Sequence, residues 1–114
     1  MINDPDFIHA ATLDDLRERE VIVISGEDRP IAIFWNGGKV LAVDNRCPHL
    51  GFPLHQGTVK DGILTCHWHH ARFDLNSGCA FDLFADDVPT YQAKVDDDEI
   101  YIAKLPNEQP TKEY

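Results

Sequence analysis

Apolar residues along this chain gather in short runs rich in Val, Ile, Phe and Tyr, separated by turn-forming residues. Such runs suit strands, because branched and aromatic side chains pack well on a pleated surface. Val21-Ile22-Val23-Ile24 and Ile31-Ala32-Ile33-Phe34-Trp35 predict two strands, ended by Ser25-Gly26 and by Asn36-Gly37-Gly38. Asn and Gly tolerate positive φ, so the second of these stops predicts a hairpin with residues 39–43 as its return strand. Val59 and Ile63-Leu64-Thr65 flank Asp61-Gly62, and residues 91–95 and 100–103 flank an acidic turn. Both patterns predict further hairpins. Only residues 12–20 invite a helix: Thr12 suits an N-cap and Asp14-Asp15 suit a first turn, yet Leu13 and Leu16 alone make a thin apolar face. A single short helical turn is expected there, inside an all-β domain.

A chain of 114 residues has room for one domain with a real core. There is no internal repeat and no Ser/Gly-rich linker, and only residues 106–114 have the composition of a tail. The expected organisation is therefore a single domain over residues 1–105 and a tail beyond it. Twenty acidic against ten basic side chains leave a formal charge of −10, which repels phosphate backbones and anionic lipid. Nucleic acid and membranes are thereby disfavoured as partners. The acids cluster at Asp14-Asp15, Asp86-Asp87 and Asp96-Asp97-Asp98-Glu99, a pattern that fits a solvated surface and a steering field equally well. No apolar run approaches the ~20 residues that span a bilayer, and the acidic N-terminus does not read as an export signal. A reducing cytoplasm is the expected location.

Three cysteines, Cys47, Cys66 and Cys79, make an odd set for a disulfide framework and suggest metal ligation instead. Residues 47–49 read Cys-Pro-His and residues 66–69 read Cys-His-Trp-His, so each of two segments offers one thiolate and one imidazole. Gly51, Pro53, Gly57 and Asp61-Gly62 lie between them and suit a chain that doubles back and brings both tips together. Two sulfurs and two nitrogens admit either one tetrahedral zinc or a two-iron cluster with the thiolates on one iron and the imidazoles on the other. A zinc finger pairs like ligands in one turn and presents its histidines from a helix; here each turn mixes the types, which makes zinc the weaker reading.

The spacing C-x-H, then C-x-x-H, resembles the hallmark of the Rieske family. Residues 42–51, Ala-Val-Asp-Asn-Arg-Cys-Pro-His-Leu-Gly, are similar to that family's first cluster loop, and residues 66–78 to its second loop with the following hairpin. Over roughly residues 20 to 103 the strand order also agrees. The resemblance implies a Rieske-like antiparallel β-sandwich with a small cluster-binding subdomain of two hairpin loops, at about residues 44–80. It also implies one Rieske-type 2Fe-2S cluster per chain, held by Cys47, His49, Cys66 and His69. Neutral imidazoles in place of two thiolates make such a centre easier to reduce, and their outer nitrogens can couple a proton to the electron.

Departures from the family pattern sharpen what is expected. High-potential members brace the loops with a disulfide, but the corresponding positions here are Phe52 and Trp68. Those members also place a serine and a tyrosine after the last ligand to hydrogen-bond sulfur, where this chain has Ala71 and Phe73. Without those hydroxyls the reduced state is less stabilised, so the expected potential is near the low end of the Rieske range, about −150 mV. His67 and His70 stand where relatives often have proline and glycine and are expected to be exposed rather than ligating. Cys79 is expected to be a small buried thiol, and His9 and His55 surface or hydrogen-bonded residues. Leu50, Pro53 and Trp68 are expected to shield the cluster and present a docking face.

By resemblance, the chain is a ferredoxin that takes electrons from a flavin-dependent reductase and passes them, through transient docking at the cluster end, to a terminal oxygenase. It is too short to hold the mononuclear-iron domain of a complete Rieske oxygenase, so it is expected to be a carrier and not an enzyme. The alternatives are an electron-transfer subunit of a nitrite-reductase-like complex and a zinc-stabilised interaction module.

Overall fold

Gly37 and Gly38 adopt φ of +58° and +85° and reverse the chain between Asn36 and Lys39, which face each other as the last pair of a tight hairpin. That turn joins β3 (Pro30–Asn36) to β4 (Lys39–Asp44), the centre of the molecule. The computed structural model describes residues 6–26, 29–46, 53–66, 72–75, 77–81 and 87–107. Around the central hairpin lie β1 (Phe7–Thr12), α1 (Leu13–Arg19), β2 (Val21–Ser25), a 3-10 turn (Leu54–Gln56), β5 (Thr58–Lys60), β6 (Ile63–Thr65) and β7 (Arg72–Asp74). The chain continues through β8 (Thr90–Tyr91), β9 (Ala93–Asp96) and β10 (Glu99–Ala103).

The strands form three antiparallel sheets, in the orders β1-β10-β9, β2-β3-β4-β8 and β5-β6-β7. Alternation along the middle sheet decides what packs on each of its faces. Ala32, Phe34 and Val43 join Leu54, Leu64, Cys66, Phe73, Leu75 and Val88 in one buried cluster, which includes residues of the small β5-β6-β7 sheet. Ile31, Ile33 and Ala42 join Leu13, Leu16, Ile100 and Ile102 in the other, which includes residues of α1 and of the β1-β10-β9 sheet. Residues 31–34 are consequently buried without a break, as a strand covered on both faces requires. The expected all-β sandwich with a smaller subdomain is the fold observed.

Several local expectations need correction. The helix runs from Leu13 to Arg19 and is longer than a single turn. Thr12 caps it by accepting from the Asp15 N–H at 3.2 Å, Asp14 and Asp15 complement its positive end, and Leu16 is wholly buried. No strand was expected at residues 7–12, yet β1 pairs with β10 from Phe7–Ala103 to Thr12–Glu99. Residues 91–95 do not form one strand: Tyr91 pairs with Ala42 in the middle sheet, whereas Ala93 pairs with Ile102 in the outer one. The chain changes sheets at the exposed Gln92. The acidic turn is present, with Asp97 and Asp98 at φ of +52° and +62°, a conformation that Asp tolerates better than most residues. Beyond Leu105, the Asn107 N–H donates to the Thr90 carbonyl at 2.7 Å.

Candidate metal centre

Both candidate ligand segments leave the sheets at bases that are closed by pairing. Arg46 and Pro53 form a single antiparallel bridge on either side of residues 47–52. Thr65 and Arg72 are register partners of β6 and β7 on either side of residues 66–71. The two bases are adjacent because the 3-10 turn after Pro53 leads directly into β5, whose Thr58 pairs with Thr65. Gly57 is needed at this junction: a Cβ there would stand 2.5 Å from the Thr65 carbonyl oxygen and 3.1 Å from that of Leu54.

Cys66 follows β6 immediately and is fully buried, in one cluster with Leu54, Leu64 and Phe73. Neither it nor Cys79 is in a disulfide. Cys47, His49 and His69 lie outside the described residues, as do Leu50, Phe52, His67, Trp68, His70 and Ala71. Cys79 is half-buried rather than buried. Its carbonyl accepts from the Asp74 N–H at 2.8 Å and its N–H donates to Ser77 Oγ at 3.2 Å, which places it in the turn after β7. His9 is exposed and bonds Glu99 through Nε2, and His55 is half-buried and bonds Asn45, so both follow their expected roles. Among the described residues, no three His, Cys, Asp or Glu side chains come together as a metal site.

The first loop rests on two residues that the spacing motif does not include. Asp44 is buried, and its carboxylate accepts from the Arg46 N–H at 3.0 Å and from an Arg29 guanidinium N–H at 3.0 Å. These bonds satisfy a charge that would be costly to bury alone. Asn45 reaches across the loop to Leu54 and His55. The signal for both was present in the sequence, as an Asp-Asn pair directly before Arg46-Cys47, where Asx side chains commonly bond nearby backbone. Near the second loop, Phe81 is 52% exposed and its N–H donates to the Arg72 carbonyl at 3.0 Å. The Arg72 guanidinium carbon lies 5.7 Å from the Phe81 ring centroid, within cation–π range.

A mixed set of two soft thiolates and two imidazoles fits a Rieske cluster, and the buried Cys66 at a paired loop base fits a sulfur ligand screened from water. The family model for the Rieske [2Fe-2S] domain matches residues 6–104, and this chain belongs to that family. Within it, the chain is 34% identical over 105 residues to the 3-phenylpropionate/cinnamic acid dioxygenase ferredoxin subunit of Shigella boydii, covering 90% of this chain and 97% of that one. The solved ferredoxin of carbazole 1,9a-dioxygenase from Nocardioides aromaticivorans superposes with a TM-score of 0.79 at 26% identity, over 87% of this chain and 98% of the other. A candidate NADH-dependent nitrite reductase small subunit from Mycobacterium tuberculosis superposes with a TM-score of 0.77 at 25% identity, over 87% and 95%. No helix among the described residues is long and apolar enough to cross a membrane.

Proposed function

We propose that this chain is a one-electron carrier whose Rieske-type [2Fe-2S] cluster is held by Cys47, His49, Cys66 and His69. In this reading Cys47 and Cys66 would hold one iron, and His49 and His69 would hold the other. The observation that carries it is the adjacency of the two loop bases, Arg46–Pro53 and Thr65–Arg72, joined through Gly57 against the Thr65 carbonyl. Such a cluster stores and releases a single electron without bond rearrangement in the protein. The protein's own part is to bury Cys66 among Leu54, Leu64 and Phe73, limit water there, and hold each loop at its base.

The donor is a flavin-dependent reductase and the acceptor a terminal oxygenase of the aromatic-ring-hydroxylating type, in a reducing compartment such as the cytoplasm. Support comes from the dioxygenase ferredoxin subunit that aligns over nearly the whole of both chains. The exposed Phe81 and the Arg72 that lies over it flank the second loop and offer a small contact surface, suited to brief docking. Service as the small subunit of a nitrite-reductase-like enzyme is the second reading, favoured by the structural likeness to such a candidate subunit.

Iron and acid-labile sulfide analysis, with electron paramagnetic resonance of the dithionite-reduced protein, tests the cluster. About two irons and two sulfides per chain and a low average g value are expected for mixed nitrogen and sulfur ligation. Iron-free material, or the spectrum of an all-thiolate cluster, overturns the assignment. Reduction of a purified aromatic-ring oxygenase, against no reduction of a nitrite reductase, separates the two acceptors.

A further inference from the structure

All four polar groups of Asn45 are bonded, and three of them bind the far end of the first loop. Its N–H donates to the Pro30 carbonyl at 2.9 Å, and its carbonyl accepts from the Leu54 N–H at 3.1 Å. Oδ1 accepts from the His55 N–H at 2.7 Å, and Nδ2 lies 2.9 Å from His55 Nδ1. The residue is only 5% exposed, so water does not compete for these bonds.

The bond to the backbone fixes the rest. A backbone N–H can only donate, so its partner on Asn45 is the amide oxygen and the NH2 is the group that points at the ring. That NH2 can only donate as well. His55 Nδ1 is therefore the unprotonated acceptor, and the ring proton resides on Nε2. One tautomer and one ring orientation result.

These contacts span residues 47–52, the segment that holds two of the proposed ligands. Fixing the ends of a loop lowers the freedom of everything between them, and a site holding a metal needs its first shell placed within about 0.5 Å. We infer that Asn45 and His55 are positioning residues for the cluster, a side-chain clamp that holds the ends of the first loop so that Cys47 and His49 meet the metal at a set spacing. The inference rests on the ligand assignment proposed above. Neither residue ligates; each acts through the loop it holds.

The test compares the iron-loaded wild-type chain with Asn45→Ala, His55→Ala and His55→Asn. An asparagine at position 55 can set its Oδ1 where Nδ1 stood and restore the acceptor. Three readouts apply: the rate of iron loss to a chelator, the midpoint potential, and the linewidth of the paramagnetic signal. Losing the clamp is expected to speed iron loss about tenfold, the equivalent of about 1.4 kcal/mol or one net hydrogen bond. His55→Ala should also broaden the signal and move the midpoint, and His55→Asn should return all three to wild type. Hydrogen exchange at the His55 amide should quicken in Asn45→Ala but not in His55→Ala, which keeps the backbone bond. Should Asn45→Ala fail to fold, His55→Ala carries the test. A His55→Ala protein identical to wild type in all three readouts overturns the inference, as does a His55→Asn protein that behaves like His55→Ala. Absence of a mixed-ligand cluster from the wild type is a separate failure, seen before any variant is compared, and leaves the clamp nothing to position.

Discussion

Gly57 approaches Thr65 so closely that a Cβ on the glycine would lie 2.5 Å from the Thr65 carbonyl oxygen. This contact joins the two loop bases, and neither side of it can yield as a flexible side-chain end would. Gly57→Ala is expected to cost about 1–3 kcal/mol through overpacking. The iron content of the purified variant should fall together with its denaturation midpoint. An alanine variant that retains full stability and full iron would mean that the junction tolerates separation.

Gly78 combines two constraints, a φ of +78° and a would-be Cβ 2.1 Å from the Val88 carbonyl oxygen. Gly78→Ala should therefore destabilise more than Gly57→Ala, by about 3 kcal/mol or more, since backbone strain adds to the steric clash. Urea denaturation of the two variants side by side checks the ranking.

Phe73 is fully buried in the same cluster as Cys66 and offers no hydroxyl to sulfur. The midpoint of the wild-type protein is expected near the low end of the Rieske range, about −150 mV. Phe73→Tyr, which supplies a hydroxyl at that position, is expected to raise it. Redox titration of both proteins decides the matter, and a wild-type midpoint well above zero contradicts the reasoning.

Replacing His49 or His69 with cysteine should lower the potential or abolish the cluster, because another thiolate makes the centre more negative. An unchanged spectrum and midpoint in either variant would remove that histidine from the ligand set.

Thr12 caps α1, whose Leu16 packs into the cluster on the opposite face of the middle sheet. Thr12→Ala is expected to cost about 1 kcal/mol by loss of the cap. Leu16→Ala is expected to cost about 2–5 kcal/mol by opening a cavity. Neither should shift the midpoint of protein that remains folded, which a titration beside a melting curve would verify.

Features carried by local chemistry could be read from the chain. Gly37-Gly38 and Asp61-Gly62 announce their hairpins because few other pairs accept positive φ at both positions. The candidate ligands stand out because mixed spacing is a property of adjacent residues. Features created by partners could not be read in this way. Residues 7–12 mix the strand formers Phe7, Ile8 and Thr12 with His9, Ala10 and Ala11, too broken a run to announce a strand, and form β1 by pairing with β10. Two leucines suffice for α1 because Leu16 enters a core supplied by other elements. The break at Gln92 follows from Tyr91 and Ala93 belonging to different sheets, which no local pattern encodes. His55 stayed hidden for a similar reason: Asx chemistry before Cys47 points to Asn45, but nothing local names its partner ten residues on, 2.9 Å away in the fold.

Burial of both faces of β3 has a consequence for how the chain finds its native state. In a strand with one wet face, slipping by one residue drives apolar groups into water and is rejected on polarity alone. Here a slip would merely exchange Ile31 and Ile33 for Ala32 and Phe34 between two equally dry compartments. Correct alignment of β3 on β4 is then selected by side-chain bulk and by the glycine reversal at the hairpin end rather than by polarity.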